Sequence, residues 1–506
     1  MERRLILTIA LSLLVLLSWS AFISKTQPIV DKGVTQESTS IGNAREQASS
    51  AEAPLAQRTP SSLLDFSQDK FDIVFLEEQA AIKEVIFKDY KSGKIILSDG
   101  FLWGDAQLVF QKESFGRDEA VFVHRGKDRE IIKRFIFHNS SYSIELEIVA
   151  RNLSTLPLSL SAPLTLGTLD FAGDPNEARY QDVSVVTPEK TLRWNGRKNN
   201  RVEGAQLLSL RNRYFCAIAE PQGAAFSATV SAISKQESRV YLQTKEVSLG
   251  PGKSITQKFR IYLGPQDLHT ISSIKPEWSV AMHYGTFNLI ANILLYALGF
   301  IHGLVHNWGW TIVILSISVY FLLFPLTLKQ MRSMKEMQAL QPRIEELRNA
   351  YKDNPQRLNK EIMQLYREHK VNPMGGCLPL LLQIPVFFAL YQVLMRSVVL
   401  KGANFLWIKD LSEPDRLLLF PRSLPILGNE LNILPIIMAI QMLVQQKLSM
   451  SKATSSASAE QQKMMMIVFP VMFGLIFYKM PAGLVLYWFI NSSLMLFYQW
   501  RIGRSQ

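Results

Sequence analysis

The sequence predicts a polytopic α-helical membrane protein that carries a large exported antiparallel β-sandwich. Three observations predict it. From residue 284 onward the chain holds long apolar runs with almost no charge inside them. Residues 62–270 instead show short alternating runs broken by Gly, Asn, Asp and Pro. The amino terminus opens with Arg3 and Arg4 and then stays uncharged and apolar from Leu5 to Ile23. A chain of 506 residues exceeds what one hydrophobic core supports, so at least two domains are expected.

Composition narrows the function classes. A hydrophobic share of 48% suits a soluble protein on average, but the average conceals a polar first half and an apolar second half. The formal charge of +12 raises the question of nucleic acid. The bases flank apolar segments and form no stripe interleaved with aromatics, so membrane topology accounts for them and no direct nucleic-acid partner is expected. Cys216 and Cys377 stand in different halves; neither a disulfide between them nor a metal site follows.

Residues 1–24 read as an anchor helix. Ser18 and Ser20 form only a poor small-x-small site, so a cleaved signal peptide is the alternative. Either way Arg3 and Arg4 stay cytosolic and the chain beyond the apolar run is exported. Residues 25–61, rich in Ser, Ala, Gln and Glu, read as a tether.

Residues 62–270 supply the sandwich through period-two runs such as FDIVFL, AVFVHRG and YSIELEIVARN. Asp170, Asp174, Glu177 and Asp182 gather around a Gly-Asp-Pro turn, and Trp194-Asn195-Gly196 invites a cleft. Solvated loops between strands explain these residues best. Gly252-Lys253-Ser254 is no phosphate loop, because Val247 stands where the first glycine belongs and no helix follows.

The membrane half begins at 284–306, whose apolar residues at Phe287, Ile290, Leu294, Leu295, Leu298 and Ile301 predict an amphipathic helix in the outer interface. A full span is the rival. Residues 308–328 cross next, entered by Trp308 and Trp310 and left through Pro325. Ser316 and Tyr320, four apart, share a face of this span, and Ser318 lies off it. Residues 329–372 carry ten Lys and Arg and read as a cytosolic helical hairpin. Met331, Met334, Met337, Leu340, Ile344 and Leu347 form one apolar face, and Leu358, Ile362, Leu365 and Tyr366 the other. Asn354 caps the second helix and Pro355 takes its first position. The methionines suit either packing within the hairpin or recruitment of apolar segments.

Spans follow at 377–395, 431–448, 464–478 and 484–500, with an outer loop whose Phe405, Trp407 and Ile408 read as interface residues. Ser449–Lys463 reads as a flexible cytosolic loop. With the anchor this gives six spans and both termini cytosolic.

The five carboxy-terminal spans contain no interior Asp or Glu. Proton-coupled transport and ion conduction usually need such a group, and a hydrolase needs a nucleophile with its base or metal ligands. No enzyme, metal or cofactor is expected. What remains is uncharged polarity at Ser316, Ser318, Tyr320, Gln383, Gln392, Tyr487, Asn491 and Ser492. Singly, such residues hold helices together; on several spans at once they suggest a hydrated concavity.

The runs NWGW…FPLTLKQMRSMKEMQALQP, YREHKVNPMGGCLPLLLQIPVFFALYQVL, NFLWIKDL and PAGLVLYWFINS resemble the YidC family of bacterial membrane protein insertases. The resemblance covers about Tyr284–Ile502; the anchor and exported domain match Gram-negative members by layout. It implies an insertase core at 307–502, five helices plus the anchor, below a periplasmic sandwich. It further implies a monomeric insertase and folding chaperone of the inner membrane. Its partners would be nascent membrane proteins, the ribosome, the Sec translocon and membrane lipids. A groove open to cytosol and lipid would receive the client's polar part without nucleotide hydrolysis. The groove residues of the family map to Ser316, Tyr320, Gln383, Tyr487, Trp488 and Asn491; Met331, Met334 and Met337 would recruit clients. At Tyr320 many members carry arginine, so this groove is expected to work without a fixed cation. Arg396 is expected at the outer end of its span, away from the groove. A transporter or lipid scramblase is the alternative, and a ligand-binding sandwich merely anchored by the spans is a third possibility.

Overall fold

The computed structural model describes residues 62–504 apart from 105–107, 174, 224–225, 353, 370, 372–377, 425–427 and 450–455. The anchor expected at 1–24 and the tether at 25–61 lie outside these residues, as do Asp174 and Cys377.

The alternation in the first half does what period two requires. In Phe71–Leu76 the residues Phe71, Ile73 and Phe75 are buried while their neighbours are half-buried. The sandwich comprises a four-stranded meander spanning Leu63 to Gly100, a second four-stranded sheet and a nine-stranded sheet. Every strand pairing within these three sheets is antiparallel. Several inward positions break the apolar rule, Lys133 among them. Lys133, on strand Arg129–Phe137, is fully buried and donates to the backbone carbonyls of Ala80, at 2.5 Å, and Phe101. Burial pushes its ammonium pKa well below the ordinary value.

Helix α1 (Leu268–Ile274) leaves the sandwich, and α2 (Asn288–Val305) comes after a linker that buries Trp278 and residues 281–284. Then come α3 (Trp308–Ala339), α4 (Gln341–Ala350) and α5 (Pro355–Glu368). Helices α6 (Leu378–Arg396), α7 (Ile433–Ser449), α8 (Ser456–Phe477) and α9 (Ala482–Arg504) complete the bundle. Gly285–Val305 and Trp308–Met337 are long and apolar enough to cross a membrane; Ile433–Leu448 and Ile467–Phe477 are shorter apolar helices.

Several expectations need revision. The expected exit at Pro325 does not end the helix, because α3 runs on to Ala339 with Pro325 inside it. The first hairpin helix is therefore partly a continuation of the span. Leu340, Ile344 and Leu365 do pack together, joined by Met337, Leu347, Ile362 and Tyr366. Asn354 caps α5 as expected, accepting from the Arg357 amide at 3.1 Å, with Pro355 next. Helix α8 starts at Ser456, inside the stretch expected to be a loop. Phe405 and Ile408 are buried rather than interfacial, and a two-stranded hairpin of Leu418–Leu424 and Gly428–Leu431 occupies the outer loop. Asp182 is no solvated loop residue: it opens strand Asp182–Val186 and is half-buried between Arg211 and Arg396.

The sandwich and the helical core interlock. Val398, just past α6, joins the sandwich core, while Tyr284 of the linker joins the helical core. Asp182 binds Arg211 at 2.6 Å and Arg396, the last residue of α6, at 3.2 Å. Arg213 reaches Glu177 at 3.1 Å, Glu413 at 3.0 Å and the Ser412 carbonyl at 2.9 Å. This junction marks one end of the bundle as the sandwich side.

Candidate functional site

At the sandwich side the bundle is closed by backbone-directed hydrogen bonds. Helix α9 begins there, and its free amides at Ala482 and Gly483 donate to the carbonyls of Glu413 (2.8 Å) and Leu411 (2.9 Å). The Asp415 carboxylate accepts from the first amides of α7, Ile433 and Leu434, both at 2.9 Å, and from Trp407 Nε1 at 3.2 Å. In the first turn of α3, a Cβ on Gly309 would lie 2.0 Å from the Phe405 ring. Glycine is what lets that ring seat against the helix. Together these residues form a plug.

Farther from the sandwich, α3, α6 and α9 bring uncharged polar groups together. Gln383 Nε2 on α6 donates to the buried Tyr487 hydroxyl on α9 at 2.7 Å. One turn on, Asn491 Nδ2 donates to the Tyr487 carbonyl at 3.0 Å. From α3 the Tyr320 hydroxyl reaches the Leu494 carbonyl of α9 at 3.5 Å. Ser316 is buried and donates back to Ile312 of its own helix at 2.6 Å, which leaves its lone pairs as acceptors. Ser318 is exposed, as its offset from that face requires.

The expected groove residues thus divide. Ser316, Tyr320, Gln383, Tyr487 and Asn491 lie on the three converging helices. Trp488, about 100° farther round α9, packs instead on Phe387 (5.4 Å), Phe473 (5.9 Å) and Phe477 (5.6 Å), toward α6 and α8. Met337 belongs to the hairpin cluster, Met331 is half-buried, and the Met334 side chain lies outside the described ones. Arg396 sits at the sandwich end of α6, away from these groups, with its guanidinium 5.5 Å from the Tyr180 ring.

Sequence reasoning missed the junction. Arg211 also donates to His283 Nδ1 at 2.7 Å. Burial acts to raise the Asp182 carboxyl, but the charges of Arg211 and Arg396 outweigh it and hold the pKa at about 2. Burial, followed by the charge of Arg211, lowers His283 to about 2 as well, so its imidazole is neutral. No local pattern reveals these partners, since Asp182 and Arg396 are 214 positions apart.

Known proteins decide the family. The family described as the 60Kd inner membrane protein matches residues 300–506, and the YidC periplasmic domain matches residues 117–297. A membrane protein insertase YidC of Cupriavidus taiwanensis is 34% identical over 408 residues, covering 77% of this chain and 69% of that protein. The chain belongs to the YidC family. A YidC of Geotalea daltonii is 30% identical across 100% of this chain and 99% of its own length. A crystal structure of an active YidC insertase, with its first transmembrane domain resolved, is 18% identical, with a TM-score of 0.40, over 87% of this chain and 94% of that one. As a YidC family member the chain is a membrane protein insertase of the inner membrane with a periplasmic β-sandwich domain.

Proposed function

We propose that the chain inserts its clients by lending their polar segments a partly hydrated groove between α3, α6 and α9, then releasing their apolar helices into lipid. The observation that carries this reading is the convergence of Tyr320, Gln383, Tyr487 and Asn491 on the far side of a hydrogen-bonded plug. A wet half-channel shortens the apolar path a client's polar tail must cross, and so lowers its desolvation penalty. Burial of the client helix in lipid, about 25 cal/mol per Å² of apolar surface, drives release. Amides and hydroxyls suit this passage because they exchange partners with water without stranding a charge.

In this reading residues 329–372, which carry ten Lys and Arg, are cytosolic, and the two termini are cytosolic too. The five carboxy-terminal spans join the amino-terminal anchor to make six. Helix α2 lies along the outer interface. It comes after the junction residue Tyr284 and ends with His302 stacked 3.8 Å from Trp308, at the plug end of α3. Both its ends therefore stay on the sandwich side. Its exposed face is apolar, with Leu289, Ile293, Tyr296, Phe300 and Leu304 suited to lipid. The chain acts as a monomer, receives nascent chains from the ribosome at Met331, Met334 and Met337, and works alone or beside the Sec translocon.

Depletion of the native insertase with complementation by Ser316→Leu, Tyr320→Leu and Gln383→Leu combined tests the groove. Insertion of a single-spanning client is expected to fail while the protein still accumulates in the membrane. Undiminished insertion would sink the idea.

A further inference from the structure

A concavity lies on the outer surface of the bundle, between α7 and α9, apart from the polar groups assigned to clients. Its volume is about 690 Å³, and its walls include Ile440, Val444 and Leu448 from α7 and Phe489, Phe497 and Trp500 from α9. Ile440, Val444, Leu448, Phe497 and Trp500 are all exposed, so the crevice opens to lipid. Its floor is closed by Gln441 Nε2 donating to Ser493 Oγ at 2.9 Å.

Length and charge select the occupant. The lining runs from Ile437 to Leu448 on one helix and from Phe489 to Trp500 on the other. Each stretch rises about 16 Å at 1.5 Å per residue, half of a hydrocarbon core of about 30 Å. That is the depth of one leaflet. The crevice ends away from the plug, where Lys447 adjoins Leu448 and Arg501 adjoins Trp500 in sequence. Both bases are exposed, neither makes an ion pair among the described residues, and α7 and α9 contain no acidic residue. A transmembrane helix is about 10 Å wide, too broad for a slot between two helices already bonded at Gln441 and Ser493. A single acyl chain is not.

The geometry points to a binding site for an anionic phospholipid of the inner leaflet, with one acyl chain in the α7–α9 crevice and its phosphate between Lys447 and Arg501. Such a lipid would wedge the two helices at fixed spacing on the face opposite the client path.

The full-length protein in nanodiscs of phosphatidylcholine with a minor fraction of phosphatidylglycerol tests this, by native mass spectrometry of retained lipid. Retention of phosphatidylglycerol over phosphatidylcholine is expected. Lys447→Gln with Arg501→Gln should weaken it about thirty-fold, at about 1 kcal/mol per surface base. Val444→Trp, which fills the crevice, should abolish it while Ile293→Trp, on the exposed face of α2, leaves it unchanged. Equal retention of both lipids, no effect of the paired Gln changes, or a polypeptide rather than a lipid crosslinked from position 444 would each overturn the proposal. None of these readouts depends on insertion activity, so the site and the client groove stand or fall separately.

Discussion

The two polar regions of this protein solve opposite problems. At the sandwich junction, buried arginines are paired with carboxylates: Arg211 and Arg396 face Asp182, and Arg213 faces Glu177 and Glu413. Between α3, α6 and α9 the polar groups are a glutamine, an asparagine, a serine and two tyrosines. A buried ion pair is hard to open, because either partner left alone is an uncompensated charge. An amide or hydroxyl gives up a hydrogen bond for a net of about 1 kcal/mol and accepts water in its place. Charge suits a junction that stays still, and neutral polarity suits the client path proposed above.

The contrast between the two regions breaks most forcefully at Asp182. Asp182→Ala leaves Arg211 and Arg396 facing each other without a carboxylate, and a loss of about 3–5 kcal/mol is expected in denaturant unfolding of the purified protein. A loss under about 1 kcal/mol would remove the junction's claim to rigidity.

Acid should act on the same place. The folded pKa of His283 lies below its unfolded value of about 6.5, so the unfolded state binds the extra proton. Stability is complete above that pH and falls as pH drops, at about 1.4 kcal/mol per unit. Asp182, depressed from 3.8 to about 2, adds stability that is present above about pH 4 and lost toward pH 2. Its share is about 2 kcal/mol. Unfolding measured against pH should therefore show an early limb that His283→Gln removes and a later one that Asp182→Asn removes.

The plug comes next in size. Gly309→Ala drives a methyl group into the Phe405 ring and should cost about 1–3 kcal/mol; the double variant with Phe405→Ala should recover part of it. The groove should respond least in stability. Tyr487→Phe takes away the acceptor of Gln383, and about 1 kcal/mol is expected, with Gln383→Leu plus Tyr487→Phe nearly neutral. Insertion by the double variant should nevertheless fall well below that of either Asp182→Asn or Gly309→Ala assayed at a temperature where all remain folded. The reverse ranking would mean that the junction, not the groove, limits insertion.

Range decides how much of this is legible in the sequence. Period-two alternation is local, so the sandwich strands can be read from runs such as FDIVFL. The Asn354-Pro355 cap is local and is legible to the residue. Ser316 and Tyr320 share a face by helical spacing alone, and both prove buried on that face. Partners that meet only in three dimensions leave no trace: Asp415 caps α7 from 18 residues upstream, and Arg213 finds Glu413 200 residues away. Phe405 looks interfacial because aromatic residues in an outer loop usually are; nothing nearby tells that Gly309 makes room for it. Pro325 suggests an exit because proline removes an amide donor, yet a proline inside a membrane helix is tolerated where neighbouring groups make good the loss.

That proline has a mechanical consequence. Helix α3 is 32 residues long, a rod of about 48 Å, far longer than the roughly 30 Å of a bilayer's hydrocarbon core. One end is pinned under the Phe405 ring; the other runs into the hairpin and carries Met337. The two contacts are thus joined by one continuous helix. Pro325, with no amide to tie it to the preceding turn, is the gap in the hydrogen-bond ladder of that rod.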